Sequence, residues 1–322
     1  MRTGDENLRV LVTGGAGFIG RSLVKELLAN NFTVSVIDTV SSSDKKAQSL
    51  IQLGAHYYNG DIRDLPSIEQ AGEGCSHIVH LAAQTSVPAS IENPKLNDEV
   101  NLNGTLNIIK YSNSNNIKKV VFASSAAVYG NCEDVPLVEE SAGSCLSPYA
   151  ESKFQNEKDL LSLISKEPRV HILRFFNVYG PGQDTNSSYA AVIPSFIQRI
   201  ISGQSPTIFG DGSQSRDFIA VSDVVDLITH ILLNSNNTKN GVYNVATQTE
   251  TSINELLSLI ITSISQTDNG IKIPEINYQG KRSGDITSSC ADISKVVNSF
   301  GWSPKVSLAQ GIKSLVEFEL RG

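Results

Sequence analysis

No run of apolar residues approaches the ~18 that a membrane-spanning helix needs, so a membrane span is not expected. Positive charge is not in excess: 33 acidic residues face 26 basic ones, for a net charge of -7 at pH 7. That balance argues against nucleic acid or an anionic membrane as the main partner. Residues 1–9 are polar and charged and lack the apolar core of a secretory signal. Cysteine is sparse. Cys75, Cys132, Cys145 and Cys290 have neither CxxC nor zinc-ligand spacing, which points to reduced thiols in a cytoplasmic protein and to no metal site. Neither an internal repeat nor a low-complexity segment is visible.

What is present is ordinary globular composition, 322 residues with 40% hydrophobic and 18% charged. The length is near the point where chains divide into two domains. Residues 8–13 form a short apolar run like a buried parallel strand. Gly14-Gly15-Ala16-Gly17-Phe18-Ile19-Gly20 follows, then a helical pattern through Leu23, Leu27 and Leu28. A second strand over 32–37 ends on Asp38. Strand, glycine turn, helix, strand, acid is the context of a dinucleotide site: the glycines admit a pyrophosphate at the helix N-terminus, and the acid accepts hydrogen bonds from a ribose. An acid at Asp38 would repel a 2′-phosphate and favours NAD over NADP, although Lys45 and Lys46 follow shortly after. Further strands are expected over 55–59, 77–81, 119–123 and 170–173. Helices are expected over 64–71, 93–112 and 148–165, with a closing one over 308–320. The alternation implies an α/β fold, a Rossmann-type doubly wound parallel sheet with ligands at the strand C-terminal ends. His77 and His80 are three apart on a strand and face opposite ways, so they are read as structural. Glu139-Glu140 reads as a solvated face.

After residue 176 the loops lengthen and fill with Gly, Ser, Pro and Asn. The expected division is a Rossmann domain over 1–176, rejoined by 217–247, and a smaller C-terminal substrate-binding region over 177–216 and 248–322. In Tyr149-Ala150-Glu151-Ser152-Lys153 the Tyr and Lys are four apart, which puts them on one helix face. A Lys ammonium favours a neighbouring phenolate and would lower the Tyr149 pKa, making it a proton acceptor near neutral pH. The spacing alone occurs by chance on many helices. Its weight comes from the fingerprint before it and the loops after it.

Together the motifs resemble the extended short-chain dehydrogenase/reductase family, and within it the UDP-hexose 4-epimerase branch. The resemblance runs over nearly the whole chain. It rests on Thr13–Gly20, Gly60-Asp61-Ile62-Arg63, His80-Leu81-Ala82-Ala83-Gln84, Asn101 with Gly104-Thr105, Ser124-Ser125-Ala126-Ala127-Val128-Tyr129-Gly130, and Tyr149 with Lys153. It continues through Arg174-Phe175-Phe176-Asn177-Val178-Tyr179-Gly180-Pro181, Tyr189-Ala190-Ala191-Val192-Ile193-Pro194, Gly210-Asp211-Gly212 with Arg216-Asp217-Phe218, and Arg282-Ser283-Gly284-Asp285.

The resemblance implies a cast of roles. Gly14, Gly17, Phe18, Ile19 and Gly20 would line the pyrophosphate of NAD, Asp38 its adenosine ribose, and Asp61 and Ile62 the adenine. Leu81, Ala82, Ala83 and Gln84 would run along the cofactor with Asn101 nearby, and Ser124 would line the nicotinamide. Tyr149, Lys153 and Ser125 would be catalytic. Tyr149 and Lys153 would also touch the cofactor, and Ser125 would bond the sugar 4-hydroxyl. Asn177, Val192, Arg216 and Arg282 would hold the substrate diphosphate, Asp285 the uridine ribose, and the loop from Thr207 to Phe209 the uracil.

Related sugar-nucleotide dehydratases need an Asp-Glu pair where this chain has Ala126-Ala127, and decarboxylases carry a Glu in that segment. Methyl groups cannot do acid–base work, so epimerisation is the reaction that remains. The position reported in that branch as a gate beside the sugar C2 group is Ser289 here. Its small size would admit UDP-N-acetylglucosamine as well as UDP-glucose, while UDP-glucuronate stays open. The resemblance also implies a homodimer. A non-catalytic NAD or sugar-nucleotide sensor on the same fold is the rival reading, disfavoured by the retained Tyr149, Lys153 and Ser125.

Overall fold

The computed structural model of the chain describes residues 8–132, 134–164, 168–183, 191–234, 239–281 and 286–321. Elements follow in this order: β1 (Arg9–Thr13), α1 (Phe18–Ala29), β2 (Thr33–Asp38), α2 (Lys45–Gln52), β3 (His56–Asn59), α3 (Leu65–Gly72), β4 (His77–His80), α4 (Val87–Glu92), α5 (Pro94–Asp98), a π turn (Glu99–Asn103), α6 (Gly104–Ser114), β5 (Lys119–Ser125), α7 (Pro148–Leu163) and β6 (Arg169–Phe175). Then come β7 (Asn177–Tyr179), α8 (Val192–Ile201), β8 (Thr207–Phe209), β9 (Ser215–Ala220), α9 (Val221–Leu233), β10 (Gly241–Val245), β11 (Glu250–Ser252), α10 (Ile253–Thr267), β12 (Asn277–Gln279), α11 (Ser294–Phe300) and α12 (Leu308–Leu320).

The chain divides into two compact units. The first comprises residues 1–128, 143–174 and 225–243, and the second 129–142, 175–224 and 244–322. The main sheet has seven strands in the order β10-β6-β5-β4-β1-β2-β3. β1 pairs in parallel with β2 (Val12 opposite Val36) and with β4 (Val12 opposite Val79). The connection reverses direction between β1 and β4, the switch point where such sheets bind ligands beyond their strand C-termini. Leu11, Ile37, Ile78, Phe122 and Ile172 from the strands and Ile108 and Leu160 from the helices form the first unit's core. Each such side chain is worth about 1.5–3 kcal/mol when fully buried.

The second unit has its own core. Ile193, Ile197 and Ile200 of α8 share it with Leu257, Ile260 and Ile264 of α10 and with Ile312, Leu315 and Val316 of α12. Its sheets are small: β9 pairs with β7 in parallel and with β11 antiparallel, and β12 pairs with β8. The 217–247 stretch is therefore shared out, with β10 in the main sheet and β9 in the three-stranded one.

The single helix expected over 93–112 is three pieces. Asn101 is buried in the π turn. Its side chain accepts from the Gln84 N–H at 2.8 Å, donates to the Gln84 carbonyl at 3.1 Å, and also donates to Ser152. The extra turn residue aims that amide inward, as π turns near functional sites often do. Glu139 departs from expectation too: it is buried, and its carboxylate accepts the Asn244 N–H at 2.8 Å, whereas Glu140 is exposed.

Candidate active site

The turn after β1 is shaped by close backbone approach. Gly14 has φ +72, and a Cβ there would lie 2.7 Å from the Ala82 nitrogen, at the end of β4. A Cβ on Gly20 would run into the Gly14 carbonyl oxygen. Gly17 caps α1 without a side-chain hydrogen bond, and no acid occupies the helix's first turn. The result is a tight cradle at a helix N-terminus, which suits a pyrophosphate. Thr13 pins the neighbouring strand, its hydroxyl meeting His80 Nδ1 at 2.7 Å and accepting the Ala82 N–H at 3.1 Å. Phe18 and Ile19 sit half-buried at the start of α1, and Leu81, Ala82, Ala83 and Gln84 run half-buried from β4. These residues fit NAD.

Asp38, at the end of β2, accepts the Ala16 N–H at 2.9 Å and the Val40 N–H at 3.0 Å, so it also orders the glycine turn. A carboxylate keeps further lone pairs for a ribose. Asp61 is bonded to Arg63 (2.7 Å), which lowers its carboxyl below the usual range. Ile62 is buried and packs on Gly104. Lys45 and Lys46 open α2 and are exposed.

Ser147 accepts the Ala150 N–H and starts α7, with Pro148 at its first position, where the missing N–H costs nothing. Tyr149, Ser152 and Lys153 are buried on this helix, and Ser124 is buried on β5. Ser125 follows at the end of β5, its hydroxyl near enough to the Tyr149 phenol to favour the phenolate. Lys153 Nζ donates to the Ala123 carbonyl at 2.8 Å, 4.7 Å from the Phe122 ring centroid and 5.9 Å from that of Tyr149. The expectation that Lys153 lowers the Tyr149 pKa is not met. Burial pushes the phenol up, and the Ser125 hydroxyl opposes that rise. Burial also pushes Lys153 down to about 7, against the charge of Glu157. The ammonium is spent on a backbone carbonyl, so desolvation decides the phenol. His80 is pushed down to about 3 by burial and stays neutral.

In the second unit Asn177, Val192, Thr207, Phe209 and Arg216 line one cavity of about 330 Å³, with Gln214 and Phe196 among the other walls. Arg216 Nη1 donates to the Ser215 and Ile286 carbonyls, both at 2.7 Å. Ser289 is buried and does not line this cavity. Arg282 and Asp285 lie outside the described residues, as do Tyr189 and Ala190. Gln214 was missed in sequence. Only its place between Gly212 and Arg216 could have flagged it.

The sequence profile of the NAD dependent epimerase/dehydratase family matches residues 10–246. The chain belongs to this family. Its members are NAD-dependent, and the cradle after β1 fits that cofactor. A Methanocaldococcus jannaschii protein, provisionally named a UDP-glucose 4-epimerase, is 38% identical over 313 residues, 96% of this chain and 97% of that protein. A UDP-N-acetylglucosamine 4-epimerase from Methanobrevibacter ruminantium, solved with UDP-N-acetylmuramic acid, superposes with a TM-score of 0.87 at 36% identity, over 98% of this chain and 99% of that one. A Thermus thermophilus UDP-glucose 4-epimerase solved with NAD has a TM-score of 0.85 at 34% identity, over 98% and 99%. These relatives support the narrower 4-epimerase branch of the family. Among the described residues no helix is long and apolar enough to cross a membrane, and no three His, Cys, Asp or Glu side chains cluster to hold a metal ion.

Proposed function

We propose that this chain interconverts UDP-hexoses at C4, taking UDP-glucose and UDP-N-acetylglucosamine with their 4-epimers, through a transient 4-keto sugar. The observation that carries the reading is the Ser125 hydroxyl near the Tyr149 phenol, on a strand end that continues as Ala126-Ala127. One hydroxyl relay is present, and that segment offers no carboxylate for elimination or decarboxylation. Ser125 bonds the sugar 4-hydroxyl and relays its proton to Tyr149, which starts as the phenolate, its charge balanced by the Lys153 ammonium, and ends neutral. NAD+, when bound, supplies a reversible hydride acceptor and a positive charge that favours the phenolate. The 4-keto sugar would present its other face to the same side chains, and Tyr149 and Ser125 would give the proton back to O4. Net oxidation is zero.

Asn177, Val192, Arg216 and Arg282 hold the diphosphate, a guanidinium fork being well matched to it, and Asp285 holds the uridine ribose. Thr207 and Phe209 flank the uracil. Ser289 leaves room for an N-acetyl group. The chain assembles as a homodimer through α5–α6 and α7, where Leu96, Leu161 and Leu163 are exposed; a light-scattering mass equal to one chain would sink that.

The test is to incubate purified protein with UDP-glucose, UDP-N-acetylglucosamine and UDP-glucuronate, and to assay each 4-epimer with and without added NAD. The Tyr149→Phe variant is run beside it. Product from the first two, falling by about 10²–10⁴-fold in the variant while NAD binding is unchanged, is expected. Near-normal turnover by the variant would overturn the mechanism, and product from UDP-glucuronate alone the substrate assignment.

A further inference from the structure

The buried face of α7 that carries Tyr149 and Lys153 continues four residues on, to Glu157. Glu157 is 2% exposed. A carboxylate that deep loses several kcal/mol of hydration unless it is paired and bonded. Glu157 is both. It accepts Arg174 Nε at 2.9 Å on one oxygen and Arg174 Nη2 at 2.7 Å on the other, and the Ser124 hydroxyl donates to it as well. Arg174 comes from β6 and is itself 3% exposed. The two-pronged pairing fixes the plane of the carboxylate.

The partners are what give this pair meaning. Ser124 sits between Ala123, whose carbonyl takes the Lys153 ammonium, and Ser125, whose hydroxyl lies near the Tyr149 phenol. One carboxylate thus ties the 123–125 strand end to the helix bearing the acid–base pair. The fold has no need of a charge here, because a buried ion pair is seldom more stable than apolar residues of similar size.

We propose that Glu157 is a positioning residue for the reaction, holding Lys153 as an ammonium and aiming the strand end that presents Ser124 and Ser125. The inference rests on the epimerase reading above. Lys153 is faced by Tyr149 and Glu157 of α7, by the Ala123 carbonyl and Phe122 ring of β5, and by His80 of β4, with Arg174 of β6 beyond Glu157. His80 is uncharged at neutral pH, and Glu157 is the charge that opposes the burial of Lys153. A folded-state pKa held up by Glu157 means that the ammonium is present below it and lost as pH rises through it. Removing the carboxylate moves that loss to lower pH.

The experiment is the pH profile of kcat for wild type, Glu157→Gln and Glu157→Asp, with bound NAD measured in each. In Glu157→Gln the alkaline limb shifts to lower pH, and kcat at pH 8 falls on the order of tenfold. Glu157→Asp returns the limb to its wild-type place. If Glu157→Gln does not fold, because it leaves Arg174 buried without its carboxylate, Glu157→Gln with Arg174→Met removes both charges and must shift the limb in the same direction by a smaller amount, since the more distant cation is lost too. A purely structural role predicts lower thermal stability and a uniform fall in kcat with the limb unmoved, and that result overturns the inference. Absence of turnover in wild type, by contrast, would fault the epimerase reading and not this one.

Discussion

Ser289 carries the sharpest claim about a single side chain. It is 8% exposed and small. Ser289→Tyr puts a ring into whatever room the small side chain leaves, and overpacking of this kind costs about 1–3 kcal/mol where the surroundings resist. If this position borders the sugar C2 group, the larger substrate suffers more. The variant is expected to lose UDP-N-acetylglucosamine turnover on the order of tenfold or more while UDP-glucose turnover changes little. An equal fall for both sugars would remove the gate from the argument. At this scale the sequence showed which residue types were in play but not their charge states. The four-residue spacing of Tyr149 and Lys153 implied a depressed phenol. Burial and the Ala123 carbonyl reverse that, and neither is visible in a linear pattern. Glu157 escaped notice although it repeats the same spacing, because a lone Glu on a helix reads as solvent-facing until a buried Arg is found opposite.

Elements whose pattern is local were the legible ones. The glycine turn, the first six strands of the main sheet and α12 follow from periodicity and punctuation that a sequence displays openly. The capping box at Ser252 and Glu255 announced α10 just as openly and was passed over. The π turn was not legible, since its cause is the set of partners that Asn101 finds on Gln84 and Ser152. The glycine turn also supports a prediction about an element. Gly14 is tied to the Ile37 carbonyl through its N–H at 2.9 Å and pressed against Ala82, so its carbonyl cannot retreat from a new Cβ on Gly20. Gly20→Val should therefore distort the start of α1 at a cost of about 1–3 kcal/mol. NAD binding should weaken by an order of magnitude or more, a factor that needs only about 1.4 kcal/mol. Titration of NAD into the purified variant checks this, and unchanged affinity would mean that the turn tolerates a side chain where geometry says it cannot.

At the scale of the molecule the two units differ in how they answer acid. His77, His80 and His171 all belong to the first unit, and burial pushes them down to about 4, 3 and 4. Each is neutral when folded and takes up a proton near pH 6.5 when unfolded. A folded pKa below the unfolded one gives stability that is present above pH 6.5 and is lost as pH falls toward the folded value. Three such groups remove several kcal/mol between pH 6.5 and pH 4. The second unit contains the opposite case. Burial raises the Asp217 carboxyl even though Thr247 and the Ala291 N–H bond it. A raised folded pKa means that Asp217 gains stability for its unit as pH falls. The first unit should therefore open first on acidification. Hydrogen exchange at pH 7 and pH 5, corrected for intrinsic rates, should show protection falling in β4, β5 and β6 well before it falls in α8, α10 and α12. Equal loss in both sets would mean that the buried histidines are not the acid-labile element, and that carboxylate pairs govern acid unfolding instead.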